Sequence, residues 1–358
     1  INWGTADAII NSVHSLFFGT SSNGTLYMIS RDGGLYHNPH GTFLESSWAL
    51  LGTTYYGADA GYQQEENIIC AVPSPHGTGA VVVQGKAGAG VVGTRILWNY
   101  RGTMGMQLAS VMETYPQDMN LAGGKIASYR NEGGNHLLRW PRVDNIISGS
   151  QLMMIEMTVP STTTSLLSGI LNPTPIMGVP RDICQNGTNG TRSYFTDDNR
   201  FLKWYEGGAI GTVGTVNGTL SFRSGTNLFH TRLTSNAKNG HICGAYTKSG
   251  TQNIFVSDGV NIKDVASFLS GTEIIHMLQE PVYPHRVFMA DNAGKSYVYE
   301  WGGTVKLLSA SPGVGTSGLA YEQDILGTSR ILQICNQASP ATGKLWSHKD
   351  FFSPIVGT

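Results

Sequence analysis

Carboxylates of this 358-residue chain that lie outside the hairpin turns include Asp59, Glu65, Glu66, Glu113, Glu156, Glu280 and Asp324. Two such groups flanking a sugar could hydrolyse a glycosidic bond, one protonating the leaving oxygen and the other serving as nucleophile or base. Their spacing selects no pair. Asp197, Asp198 and Asp291 stand in turns, where hydrogen bonding to nearby backbone accounts for them. The closest histidines, His37 and His40, share a Gly/Pro-containing loop with no Cys or carboxylate beside them, which describes a solvated loop better than a metal centre. His285 follows Tyr283-Pro284 and reads as a turn residue. The four cysteines, Cys70, Cys184, Cys243 and Cys335, are separated by 114, 59 and 92 residues, which excludes a zinc knuckle or a CxxC redox pair. A GxGxxG spacing at Gly88 to Gly93 follows a strand pattern, yet no helix of useful length opens after it, so a Gly-rich loop is expected there. No nucleophile elbow or P-loop is present in a fitting context. The reading implies no cofactor and no metal, and it leaves enzymatic activity open but disfavoured.

Two further residue classes could mediate recognition. Tyr55, Tyr56, Trp98, Tyr100, Trp204 and Tyr205 offer flat apolar rings of the kind that stack on sugars or anchor a protein partner, although strand alternation must turn about half of them inward. Asn23, Asn186, Asn189 and Asn217 each begin an Asn-Gly-Thr sequon and would accept N-glycans in a secretory setting. Asn-Gly is equally the preferred hairpin turn, which gives these positions a purely conformational reading as well.

Composition narrows the partners. The chain has 46 Gly, and only 13% of its residues are charged, with a net charge of −1. Phosphate binding requires a basic face, so nucleic acid is not the expected partner. Apolar residues make up 40%, enough for a large core and incompatible with intrinsic disorder. No apolar run approaches the roughly 20 residues of a membrane-spanning helix, so no membrane insertion is expected. A chain beginning at Ile1 without an initiator Met fits a processed polypeptide. Low charge with abundant Gly, Thr, Ser and Asn points to an extracellular or virion surface.

The elements that must position these side chains are strands. Helical periodicity is nearly absent; the best stretch, Gly105 to Glu113, would make about two turns and serves equally as a strand. Short β-branched and aromatic runs are punctuated by Gly, Asn, Asp and Pro, and one hairpin-like unit recurs. It spans 15–34, 67–85, 125–143, 193–208, 241–259, 286–303 and 330–350, seven copies with starts 44 to 68 residues apart. One hairpin buries too little apolar surface to stand alone and needs stacked neighbours. Segments such as Glu273 to Leu278 and Thr304 to Leu308 supply further strands, so each repeat holds four. The expected fold is all-β, a single seven-bladed β-propeller of four-stranded antiparallel blades over residues 1–358, with Ile1 to Val13 completing the last blade. A β-sandwich is the alternative, but it gives no reason for the hairpin to return seven times. Cys70, Cys243 and Cys335 fall at similar places in the first strand of their hairpins. Their blades are not adjacent, so the three should not pair with one another. Cys184 lies in the connection between copies three and four. The long segments Val143 to Arg192 and Gly85 to Gly124 read as the connections best placed to meet a partner.

Val287 to Trp301 (VFMADNAGKSYVYEW) resembles the middle hairpin of WD-type propeller blades, with Trp140, Trp204, Trp301 and Trp346 in corresponding second strands of four copies. Ser30-Arg31-Asp32-Gly33-Gly34 resembles the Asp-box of sialidase-like propellers, with Tyr36 and His37 in place of its Thr-Trp ending. A sialidase resemblance would imply an arginine trio for the substrate carboxylate, and no motif assembles one. The irregular, weakly charged propeller is similar in kind to bacteriophage tail and attachment proteins. That resemblance implies a non-enzymatic structural or attachment protein whose partners are protein neighbours in an assembly or a cell-surface glycan. The alternative is a secreted carbohydrate-active protein, either lectin or glycosidase. An intracellular docking propeller of the WD type is a third possibility, favoured by the Trp-ending strands and disfavoured by the low charge.

Overall fold

The computed structural model describes the strands given below and, as continuous chain, residues 200–216, 241–279 and 286–309. Among the described residues all the elements are β-strands, joined mostly as antiparallel meanders. Sheet I holds β1 (Val13–Phe18), β2 (Leu26–Ser30), β3 (Gly34–Asn38) and β4 (Ala49–Thr53). Sheet II holds β5 (Ile68–Pro73), β6 (Gly79–Gly85), β7 (Gly93–Tyr100) and β8 (Gln107–Thr114). Sheet III holds β9 (Ala127–Arg130), β10 (His136–Asp144), β11 (Gln151–Val159) and the two-residue β12 (Thr174–Pro175). Sheet IV follows with β13 (Pro180–Asn186), β14 (Arg192–Asp197), β15 (Phe201–Glu206) and β16 (Ala209–Thr215). Sheet V has β17 (Leu233–Ser235), β18 (Ile242–Lys248), β19 (Thr251–Ser257) and β20 (Ile262–Ser267). Sheet VI has β21 (Ile274–Gln279), β22 (Arg286–Asp291), β23 (Ser296–Glu300) and β24 (Val305–Ser309). Sheet VII has β25 (Thr316–Gln323), β26 (Ser329–Asn336) and β27 (Gly343–His348). The first strand of each sheet lies against the first strand of the next, and β25 lies against β1. Residues 1–12, the expected completion of the last blade, lie outside the described residues.

The recurring hairpin does not hold one place in these sheets. Copies one to three are strands one and two of sheets I to III, whereas copies four to seven are strands two and three of sheets IV to VII. The 68-residue step between copies three and four therefore includes one extra strand. Counted by first strands the step is regular, with β9 starting at Ala127 and β13 at Pro180, 53 residues on. Cys70, Cys243 and Cys335 each lie in the first strand of their hairpin, but because of the slip that is the first strand of sheet II (β5) and the second strand of sheets V and VII (β18 and β26); Cys184 is in β13 instead of a connection. Cys184 and Cys243 are free thiols. Burial pushes the Cys243 thiol far up from its ordinary value, so it acts as a small core hydrophobe. The segments read as long connections also contain strands: β11, β12 and β13 fall within Val143 to Arg192, and β7 and β8 within Gly85 to Gly124. The ambiguous stretch ending at Glu113 is strand β8.

Packing explains why alternation is hard to see in these strands. Along β18, Cys243 and Ala245 pack toward sheet VI, while Ile242 and Tyr246 pack toward sheet IV. Both phases of the period-two pattern are thus apolar, because the sheet is covered on both faces. One core joins Cys243, Ala245, Ile254 and Val256 of sheet V to Ile274, Met277, Val287, Met289, Tyr297 and Tyr299 of sheet VI. Another joins Tyr194, Leu202 and Val216 at sheet IV to Ile242, Tyr246 and Phe255 of sheet V. Every residue of β22 is buried, whereas the outer strand β20 is half exposed along its length. Outer strands carry a bulge where β16, β20 and β24 meet their neighbours, which twists each edge and blunts it against pairing with other chains.

Candidate functional site

The antiparallel meander sends its loops to two opposite faces. The turns between strands two and three, with the links from strand four to the next sheet, form one face. The turns between strands three and four form the other, together with the start of strand two. We refer to these as the hairpin face and the strand-end face.

On the strand-end face, register places equivalent residue pairs opposite one another. Arg192 opens β14 and Glu206 closes β15; Arg286 opens β22 and Glu300 closes β23. Both pairs are 14 residues apart and both form ion pairs. Arg192 donates through Nε and Nη2 to Glu206 Oε2 at 3.1 and 2.9 Å, and Arg286 Nε donates to Glu300 Oε1 at 3.0 Å. The first pair is about one-third exposed on both partners, whereas the Arg286 side chain is only 9% exposed. In sheet V the same register, Ile242 opposite Ser257, brings His241 and Asp258 to the equivalent position. The His241 ring stacks on Trp301 of sheet VI with centroids 3.8 Å apart and planes 9° apart, and Tyr299 meets the same indole edge-on at 6.0 Å. Burial lowers the His241 pKa below its ordinary value, and the nearby Asp258 charge opposes that shift without cancelling it. Asp258 itself accepts hydrogen bonds from the backbone N–H groups of Asn261 and Val260, which hold its pKa down at about 2. This turn displays Val260 to solvent at 74% exposure.

Trp204 belongs to the same face. Its ring lies over Gly211, where an added Cβ would sit 2.2 Å from Trp204 Cε2. Arg192 Cζ stacks 4.2 Å from the indole centroid. Gly211 is thus the residue that makes room for the indole, and the guanidinium that pairs with Glu206 also covers it.

The hairpin face is held by side-chain hydrogen bonds, those between sheets buried and those of the Asp291 turn partly so. Asp291 Oδ1 accepts from the Ala293 and Lys295 N–H groups at 2.9 and 2.8 Å, and Oδ2 accepts from the Tyr297 hydroxyl at 2.8 Å. Gly294 takes φ +81° in this turn. Asn292 ties the turn to the preceding link: its N–H donates to Glu273 O, its Oδ1 accepts from Glu273 N–H, and its Nδ2 donates to Gly271 O. Two glutamines stitch neighbouring sheets. Gln252 Oε1 accepts from Ile274 N–H and Nε2 donates to Ile274 O across the V–VI seam. Gln333 Nε2 donates to Gly294 O, and its Oε1 accepts from the Ser296 hydroxyl, across the VI–VII seam.

The sequence-nominated residues are only partly brought together. Tyr205 is fully buried in a core with Ile183 and Phe195, so strand alternation turns it inward and away from any ligand. Trp204 is half-buried and engaged by Arg192. Trp98 and Tyr100 lie in β7, and Tyr55 and Tyr56 lie outside the described residues. Of the sequons, Asn186 ends β13, while Asn23, Asn189 and Asn217 lie outside the described residues. Among the carboxylates, Glu113 is in β8, and Glu156 is in β11 opposite Arg139; Asp59, Glu65, Glu66, Glu280 and Asp324 lie outside the described residues. Asp291 serves the turn, as its position in the sequence implies. Among the described residues, no group of three or more His, Cys, Asp or Glu is placed to hold a metal, and no helix is long and apolar enough to cross a membrane. Sequence reasoning missed the His241–Asp258 pair and the two stitching glutamines. The shared i,i+14 spacing of Arg192–Glu206 and Arg286–Glu300 was a signal that could have exposed those two pairs.

No protein-family model matches the chain, and no curated protein matches it. Solved structures do. Saccharomyces cerevisiae Sqt1 superposes with a TM-score of 0.55 at 12% identity, over 96% of this chain and 97% of its own. The β-propeller domain of Cps50 (Swd1) from Myceliophteria thermophila superposes with a TM-score of 0.56 at 11% identity, over 94% of this chain and 96% of its own. The fold is a β-propeller. At such identities the likeness speaks for the fold alone, and it spans nearly the whole chain.

Proposed function

We propose that the chain is a non-enzymatic interaction platform, a seven-bladed β-propeller that presents its strand-end face to a protein neighbour in an extracellular or virion assembly. The observation that carries this reading is the contrast within sheets IV to VI. Well-buried inner strands such as β18, β19, β22 and β23 are flanked on this side by side chains that reach solvent, including Arg192, Glu206, Glu300 and the turn residue Val260. Long-lived protein contacts use rigidly held aromatic and arginine side chains, because little conformational freedom is lost on docking. The blade count rests on the seven sheets and on β25 lying against β1. The extracellular or virion setting rests on the low charge and the Gly/Thr-rich composition. Attachment to a host surface is the specific role that this setting favours.

Size-exclusion chromatography with light scattering and negative-stain electron microscopy of the purified chain tests the platform reading. The expected result is a discrete higher assembly in which cross-links from Lys263 or Lys306 reach a second protomer. A monomer that binds a glycan array in a sugar-competable manner would replace the platform with a lectin. A monomer that turns over a chromogenic glycoside panel would replace it with a glycosidase.

A further inference from the structure

Among the described residues, Leu269 is the most exposed large apolar side chain, at 84%. It stands on the hairpin face, in the link from β20 of sheet V to β21 of sheet VI. Its neighbour Phe268 turns inward and meets Tyr297 edge-on, with ring centroids 5.1 Å apart. The backbone of this link is held at several points. Phe268 N–H donates to Gln252 O at 2.8 Å, and Thr272 N–H closes a turn on Leu269 O at 3.0 Å, with Gly271 at φ +86°. Asn292 then ties down Gly271 and Glu273 through the bonds already described. A lone exposed leucine is ordinary on a protein surface, but one fixed at the tip of a tied turn loses little freedom on docking.

The two turns that anchor the link each carry a lysine. Gln252 lies just after the tight turn from Lys248 to Thr251, where Ser249 and Gly250 take φ +51° and +76°, as a two-residue hairpin loop requires. Asn292 lies in the turn that runs from Asp291 to Lys295. Lys248 and Lys295 are both exposed, and neither side chain makes an ion pair or hydrogen bond with a described residue. Arg192 and Arg286 on the strand-end face are each engaged by a glutamate instead. The described carboxylates near the two lysines present little charge to solvent. Asp291 is buried and bound to its own turn, and Glu273 is half-buried. In sheet IV the equivalent turn ends at Arg200, which has Asp197 and Asp198 beside it in sequence, so the excess positive charge belongs to sheets V and VI.

We propose that the hairpin face at the V–VI seam docks an acidic segment of a partner protein, with an apolar side chain of that segment on Leu269 and carboxylates on either side of it meeting Lys248 and Lys295. The surface is separate from the strand-end face and stands independently of the role given to that face. Charge complementarity selects an anionic partner, and the central leucine selects a peptide over a phosphate polymer, which offers charge without an aliphatic side chain. The hydrogen bonds beneath the turns keep the three side chains in a fixed arrangement, so docking requires no rearrangement of the ring.

The test measures fluorescence anisotropy of a labelled peptide, one central leucine flanked on both sides by glutamates, with the full-length chain. Binding should weaken by about tenfold or more in Lys248→Glu/Lys295→Glu and in Leu269→Ser, and should fall as salt is raised. Lys263→Glu/Lys306→Glu changes the net charge equally but on exposed positions of the outer strands β20 and β24, and should bind as the unsubstituted chain does. A peptide with serine in place of the leucine, or glutamines in place of the glutamates, should bind weakly. Urea midpoints of the variants should match that of the unsubstituted chain, since all five positions are exposed; should the charge reversal fail to fold, Lys248→Gln/Lys295→Gln takes its place. Absence of peptide binding, or equal loss in the two double-lysine variants, overturns the proposal. Inorganic polyphosphate that displaces the peptide and binds Leu269→Ser undiminished would also overturn it, in favour of a phosphate polymer.

Discussion

The hairpin face and the strand-end face of sheets IV to VI are built by the same strands yet held by different physics. On the hairpin face, Asp291, Gln252 and Gln333 are 1%, 2% and 0% exposed; the two glutamines bond to buried backbone of the neighbouring sheet, and Asp291 holds its turn and the buried Tyr297 hydroxyl. On the strand-end face, Arg192 and Glu206 are more than one-third exposed, and their attraction is screened by solvent and salt. Removing a buried acceptor leaves stranded donors and costs their full desolvation, whereas removing an exposed ion pair costs little. One face therefore supports the ring, and the other can vary, or engage a partner, without endangering the fold.

The largest expected effect is at Asp291. Asp291→Ala removes the acceptor of the buried Tyr297 hydroxyl and of the part-buried Ala293 and Lys295 N–H groups, and should destabilise the chain by roughly 2–3 kcal/mol in urea melts. Asp291→Asn should fall well short of that loss, since the amide oxygen can still accept from the turn. Next come the seams: Gln252→Ala should cost about 2 kcal/mol by orphaning the Ile274 amide, and Gln333→Ala a similar amount. Gly211→Ala should cost about 1–3 kcal/mol by overpacking against Trp204, and should shift tryptophan emission to longer wavelength as the indole is displaced. The smallest effect is expected for the Arg192–Glu206 pair, whose double-mutant cycle to alanine should give a coupling below about 1 kcal/mol that fades in high salt. Arg286–Glu300 sharpens the comparison because it sits on the same face but with Arg286 buried. Glu300→Ala should cost more than Glu206→Ala in the same melts.

The fold was legible from the hairpins because turn chemistry is local. Asn, Asp and Gly at strand reversals announce themselves whatever the neighbouring sheets do, and the Asp291 turn was readable from its sequence alone. What could not be read was the place of each hairpin within its sheet. Strands such as β18 and β22 are apolar on both faces, so inner and middle strands look alike, and the copies could slip by one strand between 143 and 193 unnoticed. The same two-sided burial concealed which aromatics face solvent. Trp204 and Tyr205 are consecutive, and only the register of β15 decides that Tyr205 goes to the core. The seam contacts were hidden for a different reason. Gln252–Ile274 and His241–Trp301 join residues whose proximity depends on how one sheet packs against the next, and no spacing within a repeat encodes it.

Hydrogen exchange of the full chain, resolved to short peptides by mass spectrometry, tests the division of labour between the faces most directly. Amides at Ile274, Ala293 and Lys295 should exchange only through global unfolding, while those of 258–261 and 301–304 on the strand-end face should exchange orders of magnitude faster. Equal protection of both faces, or faster exchange at the Asp291 turn than at the Asp258 turn, would contradict the account.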